Sequence, residues 1–273
     1  MSRSETMTSW RSRNSLPEKV SGFSLVELMI ALALGTVIVL GAVGLLITNQ
    51  QTFQLQQHLT DVQQQGGFTQ GFMVNDLRQI GYEPDGATGA VPFGVTFSAI
   101  TINGVNLPAS SNGAATASDV LTFTFTGTQD CTGATSATQV QIGESYQVSG
   151  GDLTCTGTID GASVTLLSGV TSFQVLYGMD KIENQQPVAA TYATAAAAAS
   201  MKNDMGNAAQ VVVLRVAYLV QQNSGNSQPA SNRDYMLLEQ KLTDGTAPLA
   251  ATNQIRREFV ATIPVRNFDW TKI

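Results

Sequence analysis

Gly22-Phe23-Ser24-Leu25-Val26-Glu27-Leu28 joins a basic leader to an apolar run, and the reading of this junction decides the fold. From Leu28 to Ile47 there are twenty residues without a charge, enough for a helix to cross the hydrocarbon core of a bilayer. One carboxylate, Glu27, stands at the mouth of that span. A charge placed there is costly, so it marks a functional position. Arg3, Arg11, Arg13 and Lys19 precede the span, and neither lysine nor arginine occurs between Leu28 and Leu77. The positive-inside rule then puts the leader in the cytoplasm and the carboxyl-terminal bulk on the other side.

A conventional secretory signal has a shorter apolar core, of about 7–15 residues, followed by a small-residue cleavage site. Here the run leads into Thr48-Asn49-Gln50-Gln51 with no such site. An uncleaved signal anchor accounts for the leader and the span, but not for Glu27 or for the Gly22-Phe23 pair ahead of it.

The apolar run continues into a glutamine-rich stretch, 49–65, with Leu55, Leu59 and Val62 at helical spacing, and then Phe68, Phe72, Met73, Leu77 and Ile80. These predict one helix from about Ser24 to Ile80, apolar all round in its first half and with one apolar face in its second. Gly66-Gly67 is its weak point, at about 1 kcal/mol per glycine relative to alanine. From Tyr82 the pattern changes to short alternating segments separated by turn signals such as Ser149-Gly150-Gly151-Asp152. Strands are expected at 91–97, 120–126, 139–148, 162–167, 170–177, 211–221, 235–242 and 257–265. In 120–126, Leu121, Phe123 and Phe125 share one face and threonines the other. The run Ala195–Ala199 reads as a short helix or a linker, and 223–233 as an exposed loop. The fold class is α+β, a long amino-terminal helix packed on a mainly antiparallel β-sheet domain.

The chain has 273 residues and a formal charge of −6. The leader is itself net positive, so the remainder is more acidic than the whole, which argues against nucleic acid as a partner. Cys131 and Cys155 are the two cysteines. An oxidising compartment favours their pairing, two free or buried thiols being the other reading, and their spacing is not that of a zinc site. His58 lies on a polar helical stretch and reads as solvated. Asp180, Glu183 and Asp204 lack the regular spacing of a calcium loop. Gly35, Gly41 and Gly44 have the size for close helix packing, ordinary transmembrane glycines being the favoured reading. No nucleophile elbow, zinc-protease, P-loop or dinucleotide motif is present. Neither catalysis, a metal nor a cofactor is expected.

The string from Gly22 to Leu32 resembles the type III signal of type IV pilins and type II secretion pseudopilins. Asp76-Leu77-Arg78-Gln79-Ile80-Gly81-Tyr82 resembles the Asp-Leu-Arg-x-Ala-Gly-Tyr helix end of the PilW family of minor pilins and of the related type II secretion minor pseudopilin J, with isoleucine in place of alanine. Val170–Gly178 followed by Asp180, Val211–Val220, Arg256-Arg257-Glu258-Phe259 and Pro264-Val265-Arg266-Asn267 resemble the same family. The resemblance implies a pilin-like protein with a leader (1–22), a long helix (23–81, transmembrane over about 28–47) and a periplasmic β-rich domain (82–273). It implies cleavage by prepilin peptidase after Gly22, N-methylation of Phe23, and a Glu27 that neutralises the Phe amine of a neighbouring subunit. The implied role is a low-abundance subunit, inserted in inner-membrane lipid before assembly. It would then join other minor pilins and the major pilin to prime a pilus at its tip. A type II secretion pseudopilin, or an adhesin using the signal for display, is the alternative.

Overall fold

The computed structural model describes residues 22–84, 89–114, 116–180, 188–223, 233–250 and 254–265. The basic residues of the leader, Glu183, most of the expected 223–233 loop, and Arg266-Asn267 lie outside them. The chain divides into two compact units, Met1–Gln50 and Gln51–Ile273. A single helix, α1 (Leu25–Leu77), contributes to both.

In the first unit every described residue is exposed, including Leu25, Ile30, Val37 and Leu45. The helix here is long and apolar enough to cross a membrane. Its hydroxyls bond back into the helix, Thr36 Oγ1 to the Ala33 carbonyl at 2.8 Å and Thr48 Oγ1 to that of Gly44 at 3.0 Å. These two hydroxyls thereby find acceptors within the helix itself.

The second unit holds the rest of α1 and thirteen described strands. In chain order these begin with β1 (Gly94–Val95), β2 (Ile100–Ile102), β3 (Val105–Leu107), β4 (Leu121–Gln129), β5 (Thr135–Ser149), β6 (Asp152–Gly157) and β7 (Ser163–Ser168). Then come β8 (Val170–Asp180), β9 (Thr191–Ala193), the short helix α2 (Ala195–Ser200), β10 (Gln210–Asn223), β11 (Asp234–Leu237), β12 (Gln240–Thr243) and β13 (Gln254–Pro264). The two larger sheets run β1-β4-β5-β6-β7 and β13-β10-β8-β9, and β2-β3 and β11-β12 form two-stranded sheets of their own, with every pairing antiparallel.

Both larger sheets feed one core. Phe123, Phe125, Ile142, Tyr146 and Leu153 come from the first, Phe173, Tyr177, Leu214, Val216 and Tyr218 from the second, and Val62, Met73 and Leu77 from α1. Strand alternation sends Ala217 and Leu219 to the other face of β10, into a satellite cluster with Leu237, Leu242 and Leu249. Arg256 and Asp244 form a buried ion pair beside it, 2.5 Å apart. The free edge of β8 beyond β9 is closed by a loop: the Asp119 N–H donates to the Phe173 carbonyl at 2.7 Å, and Asp119 Oδ2 accepts from the Val175 N–H at 2.8 Å. An edge capped in this way is no template for further pairing.

Several local expectations change. The segment 235–242 is not one strand but the hairpin β11–β12, because Leu238 takes a left-handed φ of 56° and reverses the chain. The 91–97 strand shrinks to β1. The threonine face of β4 is buried as well as its apolar face. Residues 92–110 lie over it and meet part of its polar groups, with Thr124 Oγ1 donating to the Pro92 carbonyl at 2.8 Å and Ser110 Oγ to that of Thr122 at 3.0 Å. The alanine run is helical, and His58 is half-buried with its Nδ1 3.3 Å from Gln222 Nε2.

Candidate processing and assembly site

At the amino-terminal junction Gly22 and Phe23 lie outside any helix or strand and the chain enters α1 at Leu25, where the Leu28 N–H donates to the Ser24 carbonyl at 3.1 Å. Phe23 is 84% exposed, and a Cβ added at Gly22 would meet nothing. The peptide bond between them is therefore open to another protein. Glu27 is in the first turn, where the unpaired amides of the helix favour a negative charge. Ser24 followed three residues later by Glu27 also has the spacing of a capping box, a local signal that a reading focused on the membrane passes over. Gly35, Gly41 and Gly44 have open space around them.

The second feature is the joint between α1 and the sheets. The buried stripe is Val62, Gly66, Thr69, Met73, Asp76 and Leu77. Its spacing is helical, yet half its members are not large and apolar. Phe68, expected on this face, is instead 77% exposed. The helix passes through Gly66-Gly67 unbroken, and a Cβ at Gly66 would fall inside the ring of Phe259. That ring stacks on Tyr218, centroids 5.3 Å apart, and the Tyr218 hydroxyl donates to the Gly66 carbonyl at 2.7 Å. Thr69, buried, and Gln70, half-buried beside it, reach different sheets. Thr69 Oγ1 bonds the Leu166 carbonyl of β7 at 3.3 Å, and Gln70 Nε2 the Val260 carbonyl of β13 at 2.7 Å. The helix thus closes an end strand of each larger sheet.

Where α1 ends, Asp76 is buried against β5. The Tyr146 hydroxyl donates to Asp76 Oδ2 at 2.5 Å and Gln79 Nε2 to Oδ1 at 3.4 Å. The Glu144 side chain interacts with the same carboxyl, and its own Oε1 accepts the Cys131 N–H at 2.7 Å. Burial, above all, raises Asp76, and the bonds from Glu144 and Tyr146 oppose the rise. Glu144 is held well above the usual carboxylate range, first by burial and then by the charge of Asp76. Asp130, buried nearby, accepts from the Thr132 hydroxyl at 2.6 Å and from the N–H groups of Thr132 and Ile159, each at 3.1 Å. Cys131 and Cys155 are joined as a disulfide, their Cα atoms 6.3 Å apart, tying the β4–β5 connection to β6. Glu144 lies within 4.8 Å of both sulfurs, but joined sulfurs offer no thiolate to a metal. A cavity of about 610 Å³ opens over Asp76, Thr126, Asp130 and Thr132. Asp76 was legible only as part of a motif; its partners Glu144 and Tyr146 carry no sequence signal, being two ordinary strand residues.

An apolar first-half helix with an open Gly-Phe junction, and a β domain locked on its second half, define a type IV pilin-like protein. Residues 19–43 match the prokaryotic N-terminal methylation motif, and residues 137–267 match the family of Type IV pilus-assembly protein W. The two matches fall in separate parts of the chain, which carries a PilW domain and a prepilin N-methylation motif. No curated protein sequence matches it. Among solved structures, a type IV-like pilin from Thermus thermophilus is 17% identical with a TM-score of 0.43, covering 76% of this chain and 97% of that one. A chain of the GspK-GspI-GspJ complex of the enterotoxigenic Escherichia coli type 2 secretion system is 12% identical with a TM-score of 0.30, covering 72% and 95%. The assignment rests on the two family matches. It makes the chain a structural subunit of the minor pilin and pseudopilin class.

Proposed function

We propose that this protein is a non-enzymatic minor pilin that joins a complex of minor pilins to prime type IV pilus assembly, at the growing tip. The observation that carries the reading is the junction: an exposed glycine-aromatic bond followed by a lone carboxylate at the mouth of an apolar helix. Prepilin peptidase cuts after Gly22, leaving Phe23 with a new α-amine that is cationic at neutral pH and then N-methylated. Before assembly the helix spans the inner membrane, with the domain in the periplasm. During insertion an unpaired amine or carboxylate in apolar surroundings is expensive. Pairing the Phe23 amine of one subunit with the acidic residue of its neighbour therefore selects one axial register, and Glu27 is the acid that this chain supplies. A domain as bulky as residues 82–273 suits an end position better than a repeating shaft.

The test is a clean deletion strain scored together for surface pili and for exoprotein secretion. The expected result is loss of pili with secretion intact, restored by the wild-type gene and not by Glu27→Ala. Lost secretion with normal pili would make the protein a pseudopilin of a secretion system. If neither changes, a surface-display role replaces both.

A further inference from the structure

The joint between α1 and β5 contains a chemical contradiction that only a proton resolves. Asp76 and Glu144 are both buried and interact at this joint, but two ionised carboxylates are both acceptors and have nothing to donate to each other. Glu144 Oε1 is already occupied by the Cys131 N–H. Its other oxygen, Oε2, is fully buried, and no N–H or hydroxyl reaches it. Asp76 is in the opposite position, with a tyrosine hydroxyl on one oxygen and an amide on the other. The donors gathered on Asp76 favour its ionised form, whereas the bare Oε2 of Glu144 calls for a hydrogen of its own.

We propose that Asp76 and Glu144 hold one shared proton, carried on Glu144 Oε2 and donated to the Asp76 carboxylate, and that this proton latches the end of α1 to β5. The groups facing it are accounted for on each element. Asp76 comes from α1, Glu144 and Tyr146 from β5, and Asp130 from the β4–β5 connection. Asp130 holds its own donors and adds only negative charge. Arg78, the basic residue next along the chain, is exposed. Withdrawing the proton leaves two buried negative charges in contact with a third nearby, and the joint must open or admit water or a cation.

The sign of the pH dependence follows. Glu144 holds its proton more tightly in the folded chain than in the unfolded one, so its contribution is fully present below the unfolded value of about 4.3. It is lost as pH rises from there through the higher folded value. Within that window the folding equilibrium constant falls by up to about tenfold per pH unit.

The experiment is denaturant unfolding of the full chain in detergent micelles across a pH series, with infrared spectra of the folded protein at neutral pH. Wild type is expected to lose stability with rising pH and to show a protonated-carboxyl stretch. Glu144→Gln, whose amide N–H replaces the acid O–H, is expected to fold, to lack that stretch and to flatten the profile. A neutral-pH spectrum without the stretch overturns the proposal. So does a Glu144→Gln chain that keeps the wild-type slope, and so does one that cannot fold, since that would mean position 144 needs a charge.

Discussion

Gly66 is where a single hydrogen atom decides how closely helix and sheet approach. Replacing it by alanine forces a methyl group into the Phe259 ring, and overpacking of this kind costs about 1–3 kcal/mol. Equilibrium unfolding of the full chain should show that loss for Gly66→Ala, and Phe259→Leu in the same chain should recover part of it by making room. In sequence, Gly66-Gly67 has the look of a break, because propensity counts only the cost of the missing side chain. The compensation comes from Phe259 and Tyr218, far along the chain, and no local rule shows it. Phe68 errs the other way: its apolarity puts it on the buried face, while the packing gives that place to Gly66, Thr69 and Asp76. Glu27, beside the Gly22-Phe23 pair, stands out in the sequence because a charge next to an apolar span is conspicuous wherever the chain folds.

At the level of elements, long alternating runs declare themselves and short ones do not. The strands β8 and β10 contain the expected 170–177 and 211–221, whereas the three-residue β2 and β3 are too brief for any period. The β11–β12 hairpin was hidden for another reason. Its turn falls at Leu238 and Glu239, residues that no turn rule favours. What holds this hairpin region is the satellite cluster and the buried Arg256–Asp244 pair beside it. Removing one partner takes the buried ion pair from the other, at a cost of about 3–5 kcal/mol. Asp244→Ala should therefore lower stability by that order. Amide exchange should show β11 and β12 opening first, ahead of the β5–β6 pair on the other sheet.

For the molecule as a whole, the α+β class and the helix-plus-sheet plan were legible, since an apolar half-helix and a run of short alternating segments admit few other arrangements. The division of most strands into two larger sheets was not, because pairing between distant segments leaves no local trace. Within the β domain the disulfide closes a loop of sequence separation 24. On the chain-entropy account such a loop contributes about 3 kcal/mol. Reduction, or Cys131→Ser with Cys155→Ser, should remove that amount in urea unfolding, and an unchanged midpoint would mean the bond constrains nothing the fold does not already fix. The meeting of Gln70 with Val260 spans 190 residues, and it sets a timetable for making the protein. A ribosome adding about 5–20 residues per second needs roughly ten to forty seconds to travel that distance. Throughout that interval the helix has been synthesised while the strand that covers it has not. A nascent chain released before β13 leaves Gly66 without its aromatic cover, however well the earlier strands have paired.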